Sequence, residues 1–245
     1  MNFTPGQMVI AVLGALFVGV SKTGIGGLGV LASAIFVLVM PDHAKLAAGL
    51  VLPMLIFGDI VAVLSYWRHA RWIHIGRLFP WTAGGVVLGW LAMGRIDDRQ
   101  ARLLIGTIVL VLTALQLLRR LRGAAAAPAW WYAPVIGVLA GFTTLVANAA
   151  GAIMAVYLLT LRLPKLEFVG TAAVFFLLVN LFKVPFMIQL GLLTAGSFSF
   201  NLLLAPAVFA GALGGRWLLP RINQRVFENV TLGLGALAGL KLLLG

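Results

Sequence analysis

The residues able to do chemistry in this sequence are polar and charged side chains placed inside long apolar stretches. Three of them carry a charge, namely Lys22, Asp59 and Lys183. The neutral ones are Ser21, Thr23, Thr143, Thr144, Asn148 and Asn180. Such groups are costly in lipid and usually face a cavity, although an interhelical hydrogen bond or a snorkelling side chain is the alternative for each of them.

Small polar stretches that contain glycine interrupt two of the apolar segments, half a chain apart, at residues 21–29 and 143–151. Paired helix interruptions in corresponding positions of two halves are the best sequence-level indication of a transporter's substrate site. The pattern therefore predicts a transport protein whose site lies at the two interruptions.

The first interruption predicts an anion site. A helix that breaks at Gly24 would be followed by a new half-helix with unpaired backbone N–H groups, and these groups, the helix dipole and the Lys22 ammonium together favour an anion. The following glycines would let a ligand approach the backbone closely, or would serve helix packing alone. From this interruption we predict the substrate-binding residues Lys22, Thr23, Gly24, Gly26 and Gly27.

Neutral donors and a second lysine complete the predicted site. Thr144 and Asn148, in the second interruption, offer hydroxyl and amide donors that suit an oxyanion, and helix–helix hydrogen bonding is an equal alternative for them. Asn180 and Lys183 are three residues apart and share a helical face, and Pro185 frees a backbone acceptor beside them. We therefore add Thr144, Asn148, Asn180 and Lys183 to the predicted substrate-binding residues.

Asp59 is the one acidic residue well inside an apolar segment. An intramembrane carboxylate can relay protons, so Asp59 is our candidate for ion coupling. Two alternatives stay open, because the same carboxylate could neutralise Lys183 or cap a local bend.

Cofactor and metal chemistry find little support in the sequence. There is no cysteine, which excludes disulfides and thiolate metal sites. His43, His69 and His74 fall in loops, where histidine is most often solvated. No serine–histidine–acid set and no phosphate-binding glycine loop is present. We predict no metal, no cofactor and no enzymatic activity.

Composition places these residues in an all-α polytopic membrane protein. Of the 245 residues, 62% are hydrophobic and only 10% are charged, and stretches near twenty apolar residues recur throughout. The net charge of +12 comes from basic residues clustered at segment ends. Because such clusters orient helices in the bilayer, we predict the lipid bilayer and not nucleic acid as the partner.

Two of the hydrophobic segments have unusual lengths. The segments run over 8–40, 46–66, 75–94, 101–118, 133–161, 168–190, 197–219 and 228–244. The segment 8–40 would make about 50 Å of helix, too long for a hydrocarbon core of about 30 Å and too short for two spans. It and the segment 133–161 are each either one broken, tilted span or a re-entrant hairpin of half-helices.

The two halves of the chain resemble each other. Gly29 corresponds to Gly151 at an offset of 122, and Asp59 corresponds to Asn180 at an offset of 121. The motif at residues 95–97 corresponds to residues 221–223 at an offset of 126. Ordered matches with small drift predict an internal duplication. The predicted units are an N-terminal repeat over 1–122, a linker over 123–130 and a C-terminal repeat over 131–245.

The distribution of positive charge favours an inverted arrangement of the repeats. If both unusual segments cross the membrane, the basic residues other than Lys22 and Lys183 divide seven against nine between the two faces. If both re-enter, six spans remain and the division becomes eleven against five, which fits the positive-inside rule better. We therefore predict inverted repeats, each with one broken or re-entrant segment plus three spans, and both termini on the non-cytoplasmic side.

Two motifs make the sequence resemble a known family. The basic and aromatic loop over 66–72 and the Asn180–Pro185 segment, together with the glycine-rich first interruption, are similar to those of the TauE/SafE family of sulfite and organosulfonate permeases. The family's second break is often richer in glycine than residues 143–151 here. The resemblance marks Asn180, Lys183 and Pro185 as family-like positions and implies a secondary transporter of small sulfur-containing anions.

These observations together predict a permease in the cell inner membrane that moves sulfite or an organosulfonate by alternating access, with a proton coupled through Asp59 as one option. The alternatives are a passive anion channel and a membrane subunit without transport activity of its own. The expected partners are the small anionic substrate and the lipid bilayer, and a homodimer is a candidate assembly.

Overall fold

A computed structural model describes residues 4–24, 36, 44–93, 95, 97–121 and 130–244, and within these ranges the chain is helical with no strand. The helices are α1 (Pro5–Thr23), α2 (Ala44–Tyr66), α3 (Trp72–Ala92), α4 (Asp98–Leu121), α5 (Tyr132–Ala147), α6 (Ala150–Thr160), α7 (Lys165–Gln189), α8 (Ala195–Leu218) and α9 (Gln224–Leu244). Short 3₁₀ turns over Trp67–His69 and Leu219–Arg221 follow α2 and α8. The all-α fold is confirmed.

Local sequence explains where α1 begins and ends. The Thr4 hydroxyl accepts a hydrogen bond from the Gln7 N–H, and the Gln7 side chain accepts one from the Thr4 N–H, which together form a capping box. Pro5 occupies the first turn, where its missing N–H costs nothing. At the other end Gly24 leaves the helical conformation with φ −112° and ψ −87°. The predicted end of the helix at Gly24 is therefore confirmed.

The second unusual segment divides into two short helices, α5 and α6. Between them Asn148 adopts the left-handed conformation, with φ 51° and ψ 30°. Asparagine tolerates this region better than most residues, which explains why the chain turns here without a glycine. Nearly every residue of α6 is buried, as expected for a helix that is apolar on all sides. The predicted interruption is confirmed.

Four of the described helical stretches are long and apolar enough to cross a membrane. They run over Pro5–Thr23, Gly49–His69, Lys165–Gln189 and Ala195–Arg221. The helices α5 and α6 are apolar but shorter. Large apolar side chains such as Leu64, Leu203 and Leu213 point outward, where lipid is their natural environment. These features define a multi-pass membrane protein.

The helices pack in a reciprocal way between the two halves of the chain. The first helix of the N-terminal half, α1, packs most extensively on α8, and the first helix of the C-terminal half, α5, packs most extensively on α3. Helices α2 and α7 pack on each other, and so do α4 and α9. A pseudo-two-fold relation that exchanges the halves maps each of these contacts onto another one or onto itself.

Close backbone approach at glycines repeats the same relation. A Cβ added to Gly19 in α1 would lie 2.0 Å from the Val208 carbonyl oxygen in α8, and one added to Gly141 in α5 would lie 2.0 Å from the Thr82 carbonyl oxygen in α3. Gly19 and Gly141 are 122 residues apart, and Thr82 and Val208 are 126 apart. The offsets at which the two halves of the sequence match therefore recur between these two helix contacts.

The basic and aromatic loop after α2 is anchored to the start of α7. The Arg71 guanidinium makes a bidentate ion pair with Glu167, with N–O distances of 2.7 and 2.6 Å, and the Arg71 N–H donates to the Thr171 hydroxyl at 2.9 Å. Hydrogen bonding to Glu167 and then its charge hold the pKa of Arg71 above the usual arginine value. Gly170 lets the backbone carbonyl of Tyr66 approach α7. One of the two family-like motifs thus fixes the position of the helix that carries the other.

Candidate functional site

A cavity of about 50 Å³ lies between α1, α2, α5, α6 and α7, at the ends of the two interrupted segments. A single water needs only ~10–15 Å³ measured in this way, so the cavity has room for a small polyatomic ion or a few waters. Its polar lining consists of Ser21, Lys22, Asp59, Thr144, Asn148 and Asn180. Five of these six were predicted as substrate-binding or ion-coupling residues.

An ion pair spans the cavity between α1 and α2. The Lys22 ammonium lies 2.8 Å from Oδ1 of Asp59, and the Asp59 carboxylate is fully buried. The Lys22 side chain is 11% exposed and its ammonium lies 4.5 Å from the centre of the Phe176 ring, within the range of a cation–π interaction. Lys22 therefore has a fixed position with its charge balanced by Asp59.

Asn180 joins the ion pair to the rest of the site. Its amide nitrogen donates to Oδ2 of Asp59 at 2.6 Å, across a sequence separation of 121 residues. That separation is the offset at which the sequence pairs Asp59 with Asn180, so two equivalent positions of the repeats meet each other. Both residues line the cavity, so a contact between the two halves of the chain forms part of its wall.

Lys183 lies behind the cavity wall. Its ammonium is fully buried and lies 2.7 Å from Oδ1 of Asn148, 3.2 Å from Oγ1 of Thr144 and 3.4 Å from Oδ1 of Asn180. All three acceptors are uncharged, and all three residues line the cavity. Lys183 thus fixes the orientation of both amides and places a positive charge next to the cavity without itself lining it.

The pairing of charges differs from one of the alternatives considered above. Asp59 forms its ion pair with Lys22 and not with Lys183. Asn180 lies between Asp59 and Lys183, donating to the first and accepting from the second. Because the amide lies between the two charged groups, the structure shows no direct pairing of Lys183 with Asp59, which was one of the alternatives left open for this carboxylate.

An apolar wall closes another part of the cavity. Along α7 the side chains of Val169, Ala173, Phe176 and Asn180 face the cavity at the spacing of a helical stripe, with Phe168 beside them. Leu55 of α2 contributes from one turn before Asp59. The cavity is therefore lined by both polar and apolar side chains.

The N-terminus of α6 also reaches the cavity. Gly151 is the second residue of α6 and lines the cavity beside Asn148. The first N–H groups of a helix have no partner within it, and the helix dipole makes this end partly positive. The second interruption therefore brings a helix N-terminus to the cavity, which is the arrangement that the sequence predicted for an anion at the first interruption. The corresponding half-helix after Gly24 lies outside the described residues.

Not every predicted residue faces the cavity. The Thr23 hydroxyl donates to the Ala212 carbonyl oxygen at 2.6 Å, and Gly24 packs against Gly215. Ala212 and Gly215 both lie in α8. One residue along a helix rotates the side chain by about 100°, so Lys22 and Thr23 point to different neighbours. The geometry therefore gives Thr23 and Gly24 a packing role. Gly26 and Gly27 lie outside the described residues.

Two kinds of lining residue were absent from the predicted set. Ser21 precedes Lys22 and lines the cavity. Its hydroxyl donates to the Val18 carbonyl oxygen at 2.7 Å, so the lone pairs of the hydroxyl oxygen can accept hydrogen bonds from other donors. The apolar residues on α7 gave no signal because an apolar residue in an apolar segment is indistinguishable from core. Helical spacing from Asn180 could have found Phe176 and Val169, since four and eleven residues return to nearly the same face.

Acidic and histidine side chains do not gather elsewhere in the described ranges, where no group of three metal-ligating residues occurs. The fold and the cavity define a polytopic α-helical membrane protein with interrupted helices around a buried, positively charged polar site. This is the arrangement of a transport protein.

Comparison with known families agrees with this class. The family model described as "Sulfite exporter TauE/SafE" matches residues 11–242, so the chain belongs to the TauE/SafE family. Membership implies a membrane transporter of the sulfite and sulfonate type. No curated protein and no solved structure matches the chain.

Proposed function

We propose that this chain is a secondary transporter that moves a small sulfur-containing anion, such as sulfite or an organosulfonate, across the inner membrane by alternating access. The observation that carries the proposal is the buried Lys183 ammonium, whose hydrogen-bond partners are all neutral and all line the cavity. A buried charge without a counter-ion is costly. An anion in the cavity would remove that cost, and the family indicates which kind of anion.

The residues proposed to act on the anion have two roles, since some contact it and others hold the contacting groups in place. Thr144 and Asn148 line the cavity and present hydroxyl and amide groups to it, while Lys22 supplies a charge at its edge. Asn180 and Lys183 hold these groups in place from α7. Interrupted helices around a midplane site let one side of the site open while the other closes. A cavity lined by residues from both interrupted segments supports such a mechanism.

Asp59 is the proposed coupling group. Its carboxylate binds the Lys22 ammonium on one oxygen and the Asn180 amide on the other. A proton on Asp59 would cancel the ion pair and free Lys22 to contact the anion. Proton binding and anion binding would then favour each other through the same lysine.

A transport measurement tests the function and the coupling together. Purified protein in proteoliposomes is expected to accumulate labelled sulfite or methanesulfonate with saturable kinetics, and faster when a pH gradient is imposed. Asp59→Asn is expected to lose the response to the gradient while keeping exchange of anion for anion. Saturable uptake without any effect of pH would exclude proton coupling, linear flux down the gradient alone would indicate a channel, and absence of flux would contradict transport.

The inverted arrangement of the repeats gives a second prediction. We expect both termini on the non-cytoplasmic side. A cysteine at Gly6, where an added Cβ meets nothing within 4 Å, and one appended after Gly245 provide labels in a chain without other cysteines. Both are expected to react with an impermeant reagent from the non-cytoplasmic side only. Reaction of either from the cytoplasm alone would exclude the inverted arrangement, and a cysteine in place of exposed Arg68 serves as the cytoplasmic control.

A further inference from the structure

Helices α2 and α7, which belong to opposite halves of the chain, contact each other at both ends. A Cβ added to Gly49, near the start of α2, would lie 1.9 Å from the Leu192 carbonyl oxygen, just beyond the end of α7. A Cβ added to Gly170, near the start of α7, would lie 2.5 Å from the carbonyl oxygen of Tyr66, the last residue of α2. The two glycines are 121 residues apart. Each end of the helix pair is therefore closed by a glycine of one half against the backbone at the helix end of the other half.

The central contact between these helices is the hydrogen bond from Asn180 to Asp59, at 2.6 Å. Asp59 follows Gly49 by ten residues and Asn180 follows Gly170 by ten, so the contact lies about 15 Å along each helix from its glycine. Both residues line the cavity. A small rotation of α7 relative to α2 about this contact would separate one end of the helix pair while the other end stays closed.

An ion pair distinguishes the end of the helix pair that contains Gly170. There the Arg71 guanidinium makes two contacts with the Glu167 carboxylate, at 2.7 and 2.6 Å. The residues at the same offset of 121 in the other half are Leu192 for Arg71 and Leu46 for Glu167, and neither can ionise. The duplication therefore repeats the glycine contact without repeating these two charges.

The exposure of this ion pair is that of a contact able to form and break. The Arg71 side chain is 56% exposed and the Glu167 side chain is 21% exposed. Because water can solvate both charges after they separate, an exposed pair costs little to open, whereas its bidentate geometry defines one closed position. Phe168 and Val169, directly after Glu167, line the cavity. A movement of Glu167 would therefore alter the cavity wall on this side.

We propose that α2 and α7 rock about the Asp59–Asn180 contact during transport, and that the Arg71–Glu167 ion pair is the reversible closure of the end that carries the basic and aromatic loop over 66–72. Arg71 is a positioning residue, which acts on the anion only through the helix that it holds. This inference rests on the proposed function and gives the loop a role in it. Breaking the pair is expected to increase the fraction of molecules open at this end, at the expense of those open at the other end.

A cysteine in place of Ala172 reports which end is open, because this partly exposed residue lines the cavity and the chain has no other cysteine. A membrane-impermeant thiol reagent, applied to right-side-out and to everted vesicles, measures access to the cavity from each face. Labelling of Arg68→Cys in a separate sample identifies the face with the basic loop.

In the reporter background, Arg71→Gln and Glu167→Gln are each expected to raise the labelling rate from the face with the basic loop about threefold, the size expected for loss of an exposed bidentate ion pair. The rate from the opposite face is expected not to rise. General loosening of the fold would instead raise the rate from both faces, and that result would contradict a closure at one end.

Two further variants make the result specific to the ion pair. The exchange Arg71→Glu with Glu167→Arg keeps opposite charges at the two positions and is expected to return the labelling rate to that of the reporter alone. Arg68→Gln removes an exposed arginine of the same loop whose guanidinium faces the Trp67 ring, and it is expected to have no effect. Unchanged rates in both single variants, or a charge exchange that labels as fast as they do, would overturn the closure.

Failure of the closure and failure of the proposed function give different results. If the wild-type protein in proteoliposomes transports no anion, the proposed function is wrong, whatever the labelling rates are. If it transports an anion and the labelling rates do not respond to Arg71→Gln or Glu167→Gln, only the closure is wrong.

Discussion

Replacing Lys183 with methionine is expected to weaken methanesulfonate binding about 30-fold or more, because truncating one partner of a buried charge interaction costs about 2 kcal/mol or more. Methionine has nearly the length of lysine and fills the same buried space, so the main change is loss of the charge behind Asn148 and Asn180. Calorimetric titration measures the affinity, and size-exclusion chromatography with circular dichroism verifies the fold.

Two further variants make this result specific. Lys183→Gln keeps a hydrogen-bond donor but has no charge, and it is expected to bind as poorly as the methionine variant if charge dominates. Lys165→Met changes a lysine on the same helix whose ammonium binds the carbonyl oxygens of Leu219 and Pro220 and which is not among the residues that line the cavity. It is expected to keep wild-type affinity. Full binding by Lys183→Met would exclude Lys183 from the site.

The sequence predicts the helices well because their apolar segments are long and bounded by strong signals. The observed helices begin a few residues before the predicted segments, as at Lys165 in place of residue 168. The first turn of a helix accepts polar residues, since its N–H groups need solvent or caps in any case. Apolar patterning therefore underestimates helix length at the N-terminal end.

The meeting of Asp59 and Asn180 was within reach of the sequence. The two residues correspond at an offset of 121, and helices related by a pseudo-two-fold axis can cross at that axis with equivalent residues in contact. The carboxylate and amide are 2.6 Å apart. The duplication thus indicated which residues meet, whereas apolar periodicity alone would have placed each of them independently on its own helix.

The partner of Asp59 was not predictable in the same way. The repeat offsets point to Lys183, which follows the position equivalent to Asp59 by three residues, and the observed choice of Lys22 depends on how far α1 and α7 rotate about their axes. A rotation of about 100° separates neighbouring residues, so small differences at the end of α1 decide whether Lys22 or Thr23 faces the cavity. Packing of Thr23 against Ala212 settles that rotation. This rotation of the helix cannot be read from the sequence offsets.

The stability of the fold should be most sensitive to a single added carbon at the glycine contacts between α3 and α5. A Cβ on Gly85 would lie 2.2 Å from the Val138 carbonyl oxygen, a backbone atom that cannot move aside alone. In the equivalent contact, a Cβ added to Gly211 of α8 would lie 2.0 Å from the Leu16 carbonyl oxygen of α1. Gly85 and Gly211 are 126 residues apart, so a similar close helix contact occurs once in each half of the chain.

Gly85→Ala is therefore expected to destabilise the protein by about 2 kcal/mol or more, since forced overpacking typically costs 1–3 kcal/mol. Gly84 is the matched control, because it is the neighbouring glycine in the same helix and an added Cβ there meets nothing within 4 Å. Gly84→Ala is expected to be neutral or slightly stabilising, as alanine favours helix more than glycine does. Thermal unfolding in detergent should show a fall of about 5 °C or more for the first variant and none for the second.

The same comparison in the other half tests whether the packing is truly reciprocal. Gly211→Ala is expected to lower the melting temperature as Gly85→Ala does, and Gly214→Ala, which meets nothing within 4 Å, to leave it unchanged. A large fall in melting temperature in one half and none in the other would mean that the two contacts contribute differently to stability despite their matching geometry. Equal effects of Gly84→Ala and Gly85→Ala would contradict the close approach itself. Since α1 and α5 lead into the two interruptions, this packing also fixes where Lys22 and Thr144 enter the site.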